Sequence, residues 1–280
     1  MRAWRLCDAD WNHWPNGLDD SGVWAVVAEG GFDGVELGVY RAEDELAPER
    51  LEWVQALARS TGVPVAMLLL SLPAARWPER ALSSPATATE VAAQALVTAR
   101  TSVELGLGTM GLWPGADPPG GPARAEAVLH GLGQVAEAVA PTGVRIALEY
   151  KPGTAVASAT EALALCDAVP GLGVLVDTGH AFAAGEDPAE VVVRAGDRLA
   201  HLHLGDAAEG NADDDLPVGR LHDFAPLVAA LDATGYAGAA SLDLYGAVCA
   251  GVATGAAAGA ESRAHLLRGE SSANRRFADD

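Results

Sequence analysis

Short apolar runs recur along the chain and predict eight β-strands. The runs are continuous rather than alternating, a pattern typical of strands that are buried on both faces of a parallel sheet. They lie at Arg2–Cys7, Gly34–Leu37, Val65–Leu70, Gly108–Trp113, Arg145–Tyr150, Gly173–Asp177, Ala200–Leu204 and Ala240–Leu244.

Segments with a helical period of apolar positions separate these runs, and most of them end at Gly or Pro-Gly just before the next run, which indicates a C-cap. They lie at Gly22–Glu29, Pro48–Ser60, Thr87–Leu105, Ala123–Ala138, Thr160–Ala168, Pro188–Arg194 and Asp223–Thr234. The turn-rich stretch Pro114–Pro122 after the fourth run predicts a loop.

Repeated strand–helix units without a break in composition predict an α/β fold, a single (β/α)8 TIM barrel over residues 1–250. The alternative is an open doubly wound sheet, but no GxGxxG motif follows the first run. Residues 251–280 are expected to form a C-terminal helix, weakened by glycine, and a partly disordered tail of about 12 residues.

Composition narrows the range of partners. The 280 residues carry a formal net charge of −20, which would repel nucleic acid and anionic membranes and attract metal cations. The three cysteines (Cys7, Cys166 and Cys249) form no CxxC pair, so neither a disulfide framework nor a zinc knuckle is indicated. The longest apolar run, Val63 to Leu70, falls far short of the roughly 20 residues that span a bilayer. We therefore expect a cytoplasmic protein.

Four successive runs in the second half end in residues of metal-ligand type: Glu149, Asp177, His203 and Asp243. The ends of parallel strands meet at one face of a barrel, where active sites form. Each acid alone has a simpler interpretation as the cap of the following helix. Caps need neither a histidine nor consecutive strands, so the set predicts a site for Mn²⁺, Mg²⁺, Co²⁺ or Zn²⁺.

Several motifs resemble those of the metal-dependent aldose–ketose isomerases, the xylose isomerase and L-rhamnose isomerase families. Glu149-Tyr150-Lys151-Pro152 resembles their Glu-x-Lys-Pro element, and Asp177 with His180 resembles the next metal strand. The other similar stretches are Leu112-Trp113 with Ala116-Asp117, His203 followed by Asp213-Asp214-Asp215-Leu216, and Ser241-Leu242-Asp243. The resemblance covers residues 105–245 and is closest to the L-rhamnose isomerase family.

This resemblance implies a xylose isomerase-like barrel that interconverts an aldose and a ketose with one or two ions per chain. Its first metal site would use Glu149, Asp177, His203 and Asp243; its second would use His180, Asp213 and Asp215, with Asp177 as a bridge. Lys151, His180 and Asp177 would be catalytic, with Lys151 donating to the substrate carbonyl oxygen. Without a clear carboxylate base, we favour a hydride shift. A homodimer or homotetramer is expected by analogy.

Substrate contacts are predicted for Trp113, His13 and Glu36, each of which has an alternative interpretation as a packing or helix-capping residue. We interpret His201 as an outer-face residue of its strand. Asp206 is an alternative to the acids of the 213–215 run as a second-site ligand.

Other functions on the same barrel remain open. Ketose 3-epimerases, inosose dehydratases and related lyases use a Glu, Asp, His and Glu set around one ion. Here the last acid is Asp243, Ala155 stands where a second epimerase carboxylate is expected, and Glu209 stands where an Arg is expected. These differences favour the two-metal isomerase. Lys151 and His180 argue against a sugar-binding barrel without catalysis, and the negative charge argues against an apurinic endonuclease.

Overall fold

Eight parallel strands pair in chain order and close into a barrel. The computed structural model describes residues 2–73, 75, 77, 82–115 and 122–276, and it describes only the backbone of residues 86, 122 and 269–276. The strands are β1 Arg5–Ala9, β2 Val35–Val39, β3 Val65–Ser71, β4 Thr109–Trp113, β5 Arg145–Glu149, β6 Leu172–Asp177, β7 Leu199–Leu204 and β8 Ala239–Leu242.

All eight predicted strands and the predicted TIM barrel are confirmed. Arg5 in β1 lies opposite Ala239 in β8, and this pairing closes the ring. The boundaries differ most at β1, which begins at Arg5 rather than Arg2 and continues to Ala9. Every residue of β3 is buried, as a continuous apolar run in a covered sheet requires.

Helices follow the strands and form the outer layer. They are α1 Asp20–Gly30, α2 Ala42–Glu45, α3 Pro48–Thr61, α4 Pro85–Glu104, α5 Pro122–Val139, α6 Ala159–Ala168, α7 Thr178–Ala183, α8 Pro188–Ala195, α9 Ala225–Thr234, α10 Tyr245–Cys249 and α11 Gly255–Arg276. The seven predicted helices correspond to α1, α3, α4, α5, α6, α8 and α9. No helix within the described residues is long and apolar enough to cross a membrane.

The eighth long helix, α11, packs against α1 and α9. The Gly255 backbone N–H donates to Asn16 Oδ1 (2.9 Å), and Ser262 Oγ accepts from the Val218 N–H (3.0 Å). The helix predicted in the C-terminal region is therefore present and reaches Arg276. The last four residues of the predicted tail, 277–280, lie outside the described part of the chain, as do residues 116–121 of the predicted loop.

Apolar packing holds the two layers together. The main core lies between strands and helices and includes the fully buried Trp24, Leu68 and Leu112. A second cluster contains Ala147 and Leu175. Each lies two residues before Glu149 or Asp177 on the same strand, so all four side chains face the barrel interior. The inner face thus changes from apolar to polar towards the C-terminal ends of the strands.

Candidate metal centre

Four side chains from successive strands converge at the C-terminal end of the barrel. Glu149 and Asp177 are the last residues of β5 and β6, His203 is next to last in β7, and Asp243 directly follows β8. One potential ligand atom from each lies within 4.8 Å of those of the other three. His203 Nδ1 is 3.5 Å from Glu149 Oε1 and 3.8 Å from both Asp177 Oδ2 and Asp243 Oδ2.

This group fits a divalent cation. His203 Nδ1 is buried without a hydrogen-bond partner among the described atoms, which is costly unless another species satisfies it. Burial lowers the pKa of His203, but the charges of Glu36 and Glu149 outweigh it and raise that pKa well above its ordinary value. The site therefore favours positive charge. Three carboxylates and one imidazole are suitable ligands for Mn²⁺, Mg²⁺, Co²⁺ or Zn²⁺.

Glu36 holds His203 from the opposite side. Its carboxylate accepts from His203 Nε2 at Oε1 (3.0 Å) and from His201 Nε2 at Oε2 (2.8 Å), and all three residues are buried. Burial acts to raise the Glu36 pKa, but the charges of His201 and His203 outweigh it and lower that pKa. Because Nε2 of His203 carries the donated proton, Nδ1 is left to face the carboxylates.

This geometry corrects two predictions. Glu36, expected to contact substrate, is fully buried and engaged by two histidines. His201, expected on the outer face, points into the barrel beside His203, because strand residues i and i+2 share a face.

His180 lies in α7, directly after β6. Its backbone N–H donates to Asp177 Oδ1 (2.8 Å), so Asp177 caps α7 and is fixed in orientation. His180 Nδ1 lies 2.9 Å from the Tyr150 carbonyl oxygen, which accepts only, so Nδ1 carries the proton. With Nδ1–H in this tautomer, Nε2 is the unprotonated ring nitrogen. The His180 side chain lines the central cavity.

The loop after β7 is closed at its base by Asp206. Asp206 Oδ2 accepts from the backbone N–H groups of Leu221 (2.7 Å) and His222 (3.1 Å), and Oδ1 lies 2.7 Å from His222 Nδ1. This carboxylate is fully buried and occupied by the loop itself. Asp206 therefore does not replace a second-site ligand.

Asp213 and Asp215 project from this loop and line the same cavity as His180, but among the described residues the three form no compact ligand group. Asp213 pairs with Lys151 Nζ, and its side chain is 82% exposed. Asp215 Oδ2 accepts from the Gly246 N–H (2.8 Å). Among the described residues, the tight four-ligand group does not include His180, Asp213 or Asp215. The predicted second site is therefore not among the compact ligand groups of the described residues, which are Glu149–Asp177–His203–Asp243 and Glu36–His201–His203.

The backbone around Asp215 is specialised. Asp215 is the one described non-glycine residue with a positive φ (41°), a conformation that is uncommon outside glycine and often marks functional sites. A Cβ at Gly246 would lie 2.2 Å from the Asp213 carbonyl oxygen, so position 246 needs glycine. Burial, with the charges of Asp243 and Asp177, raises the Asp215 pKa well above its ordinary value, which favours a protonated carboxyl.

Lys151 is the only lysine among the 18 basic residues of the chain. It lies two residues after Glu149 and lines the cavity. Burial lowers its pKa, but its hydrogen bond to Asp213 and the Asp215 and Asp213 charges outweigh burial and raise that pKa. Lys151 is therefore a cationic donor beside the carboxylate group.

A cavity of about 530 Å³ opens above these residues. The predicted contact residue Trp113 lines it, whereas His13 is buried with Nε2 3.0 Å from Asp8 Oδ2 and is not among the lining residues. Trp11 Nε1 donates to Asp243 Oδ1 (2.9 Å) and so orients one candidate ligand. Ala116 and Asp117, part of the resemblance, lie outside the described residues.

Sequence reasoning missed several lining residues. Tyr40 follows the last residue of β2, Leu69 lies near the end of β3, and Tyr245 begins α10 after β8. Their positions at strand ends are the signal that would have identified them, because that face of a barrel carries the site.

Comparison with known proteins agrees with the fold. The family model described as xylose isomerase-like TIM barrel matches residues 24–268. The chain is 26% identical to an inosose dehydratase of Lacticaseibacillus casei over 132 residues, 40% of this chain and 44% of that protein. It is 35% identical over 83 residues to an inosose dehydratase of Geobacillus kaustophilus (strain HTA426), 29% of this chain and 27% of that protein. The matches thus span less than half of these relatives.

Solved structures extend the similarity over nearly the whole barrel. A D-tagatose 3-epimerase-like protein superposes with a TM-score of 0.77 at 18% identity, covering 98% of this chain and 99% of the other. An IOLI protein with a bound zinc atom gives 0.76 at 18% identity over 95% and 97%. An L-ribulose 3-epimerase gives 0.75 at 18% identity over 98% and 97%.

Proposed function

Because the chain belongs to the xylose isomerase-like TIM barrel family, we propose that it is an enzyme that uses one divalent metal ion to act on a sugar or cyclitol. The proposed reaction begins with removal of a proton from a carbon beside a carbonyl group, as in an epimerase, a dehydratase or a related lyase. The observation that carries the proposal is the Glu149–Asp177–His203–Asp243 group, in which the buried His203 Nδ1 has no hydrogen-bond partner among the described atoms.

The pairing of the loop acids supports the use of a single ion. Asp213 is paired with Lys151 and Asp215 accepts from Gly246, so the two acids of the predicted second site already have partners. Matches to inosose dehydratases and barrels named as 3-epimerases support this class over a two-metal isomerase.

The chain's own groups can carry out the proton transfer. An ion held by Glu149, Asp177, His203 and Asp243 would polarise a carbonyl oxygen and acidify the neighbouring C–H bond. His180, whose Nδ1 donates to the Tyr150 carbonyl oxygen, would accept the proton at Nε2 while the C–H electron pair forms an enediolate double bond. Lys151 donates a hydrogen bond to the oxygen that becomes negative.

The second proton transfer distinguishes the reactions within this class. A protonated Asp215 can deliver its proton to the opposite face of the carbon, which inverts that centre and gives an epimer. It can instead protonate a hydroxyl on the adjacent carbon, which leaves as water and gives an unsaturated product. Burial raises the Asp215 pKa in the metal-free protein, which supports either role.

An aldose–ketose isomerase is the second candidate. Lys151, the only lysine in the chain, lies where the isomerase resemblance requires a donor to the carbonyl oxygen. In this case hydrogen would move between the two carbons, either as a hydride or through the same enediolate.

Metal analysis and solvent deuterium incorporation test the proposal. We expect one Mn²⁺ per chain in the wild type and in Asp213→Asn, and loss of the ion in Glu149→Gln. Incubation of the Mn²⁺-loaded enzyme with D-tagatose, L-ribulose and an inosose in D₂O should give product with deuterium bound to carbon. Two ions per chain, falling to one in Asp213→Asn, with no deuterium in the product would favour the hydride-shifting isomerase.

A further inference from the structure

Asp243 differs from the other three candidate ligands in how it is supported. Those three belong to strands, whereas Asp243 follows the last residue of β8. Its side chain is 18% exposed, and theirs are at most 5% exposed. A bond from the Asp243 backbone N–H to the Leu204 carbonyl oxygen (3.1 Å) fixes the backbone, but it leaves the carboxylate free to take several rotamers. The carboxylate therefore needs further contacts to be held in place.

The turn that follows β1 bonds the backbone on both sides of Asp243. The last residue of this turn, Asn12, is fully buried and accepts at Oδ1 from the Leu244 N–H (2.8 Å). Its Nδ2 donates to the Leu242 carbonyl oxygen (2.9 Å) and to Asp8 Oδ1 (2.8 Å). Because only the amide nitrogen donates and only the amide oxygen accepts, these bonds fix the orientation of the side chain.

Trp11, in the same turn, holds the carboxylate itself. Its indole Nε1–H donates to Asp243 Oδ1 (2.9 Å), and an indole nitrogen can only donate. Oδ1 is thereby engaged, and Oδ2 is the oxygen that lies 3.8 Å from His203 Nδ1. The Trp11 ring also lies edge-on to the His203 ring, with centroids 5.7 Å apart. Trp11 is 5% exposed, so water competes little for its hydrogen bond.

We propose that Trp11 is a positioning residue for the metal ion, which acts by fixing the Asp243 carboxylate, and that Asn12 supports it by fixing the backbone there. β1 contributes none of the four ligands, yet the turn after it positions the ligand that the strands support least. Loss of the indole donor would free the carboxylate to rotate, so the entropy cost of ordering it would weaken metal binding. The inference rests on the metal site of the proposed function and is independent of which sugar or cyclitol is bound.

Metal titration of two tryptophan variants tests the effect on affinity. Trp11→Phe removes the indole N–H and keeps an aromatic ring beside His203. Trp14→Phe makes the same change at a tryptophan that lines the same cavity, with no hydrogen bond to a candidate ligand within the described residues. Calorimetry should show the Mn²⁺ dissociation constant raised roughly 10- to 100-fold in Trp11→Phe, the range for loss of a partner of a metal ligand, and within about twofold of wild type in Trp14→Phe.

Indole N–H spectra provide a readout that general loosening of the barrel would not reproduce. In metal-free protein labelled with ¹⁵N-tryptophan, the cross-peak that is missing from Trp11→Phe identifies the Trp11 N–H. Asp243→Asn should move this cross-peak upfield in the proton dimension, because a neutral amide is a weaker acceptor than a carboxylate. The cross-peak of Trp53, which is 51% exposed on α3, should not move.

Equal Mn²⁺ affinities of wild type and Trp11→Phe would overturn the inference, as would equal losses in the two tryptophan variants. A Trp11 cross-peak that does not respond to Asp243→Asn would overturn it as well. In each of these cases the wild type still binds its ion, so the proposed function stands and only the role of Trp11 is rejected. A wild type that binds no Mn²⁺ is a different result, which rejects the proposed function and this inference together.

Discussion

Among single residues, Glu36 joins two histidines that differ in role. His203 points towards the three carboxylates of the candidate metal centre, whereas His201 lies deeper in the barrel and reaches Glu36 and Ser241. The carboxylate receives both Nε2–H groups and so fixes the orientation of both rings. Such partners of metal-binding histidines tune affinity without touching the ion.

Glu36→Gln should weaken metal binding roughly 10- to 100-fold, the range for loss of such a partner. A glutamine amide offers one acceptor oxygen and one donor nitrogen, so it cannot accept from both histidines. The dissociation constant for Mn²⁺ would be measured by calorimetry on folded protein. Glu29→Gln, which changes an exposed carboxylate on α1, serves as the control. Equal affinities in both variants would show that Glu36 does not position His203.

Residue types and strand ends predicted the convergence of Glu149, Asp177, His203 and Asp243, because parallel strands bring their ends together. The partner of His203 was not predictable in this way. Glu36 lies 167 residues earlier, and only closure of the ring brings β2 and β7 side chains together inside it. His201 was predicted on the wrong face, because residues 201 and 203 are two apart on a strand and therefore share a face.

At the scale of elements, one carboxylate joins the two ends of the loop of residues 206–222. Asp206 bonds both ends of the loop, while Asp213 and Asp215 extend from its middle to Lys151 and Gly246. The loop is also held by backbone pairing of Asp206 with Leu216 and by the Val218 N–H bond to Ser262 Oγ, so the Asp206 carboxylate is one of several anchors.

Asp206→Ala should loosen the ends of this loop while the barrel stays folded. It leaves the backbone N–H groups of Ala207, Leu221 and His222 without their acceptor, a loss of about 1–3 kcal/mol for unsatisfied buried groups. Limited proteolysis, followed by mass spectrometry, should show cleavage within residues 206–222 at least fivefold faster than in the wild type. Asp223→Ala, which removes only an acceptor for the Ala225 N–H just beyond the loop, is the control. Equal cleavage in the two variants would contradict the anchor.

Elements with several turns or a continuous apolar run were predictable, whereas the shortest ones were not. α2, α7 and α10 contain four to six residues, too few for a helical period to emerge from the sequence. α7 and α10 matter most for the site, because they place His180 and Gly246. The sequence thus predicted the scaffold better than the short connections that shape the cavity.

For the whole molecule, the buried acids link stability to pH. In the metal-free protein, burial raises the pKa of Asp243 and Asp215, and carboxylate charges raise that of His203 despite its burial. A group with a raised pKa holds a proton in the folded state that the unfolded state has released, so stability falls as pH rises. Burial lowers the pKa of His201, so this residue changes the pH dependence of stability only below the ordinary histidine pKa. Above about pH 7, where histidine in the unfolded chain has released its proton, the raised pKa of His203 therefore makes stability fall as pH rises.

Metal-free protein should therefore lose thermal stability between pH 7 and pH 8, and added Mn²⁺ should raise Tm more at pH 8 than at pH 7. Ligand binding to the folded state at 100 times Kd contributes about 2.7 kcal/mol, and deprotonated ligands bind more tightly. Scanning calorimetry with EDTA or Mn²⁺ at both pH values would measure this. Asp243→Asn should show little Mn²⁺ shift at either pH. The same Mn²⁺ shift in wild type at both pH values would contradict the linkage.

Ring closure between β1 and β8 also orders events during synthesis. A ribosome-bound chain that has not yet released β8 lacks both Asp243 and the strand that pairs with β1. The candidate ligands Glu149, Asp177 and His203 are made earlier, but their fourth member arrives only with the final strand. Capture of a metal ion by the full set is therefore a late event, which follows translation of nearly the entire barrel.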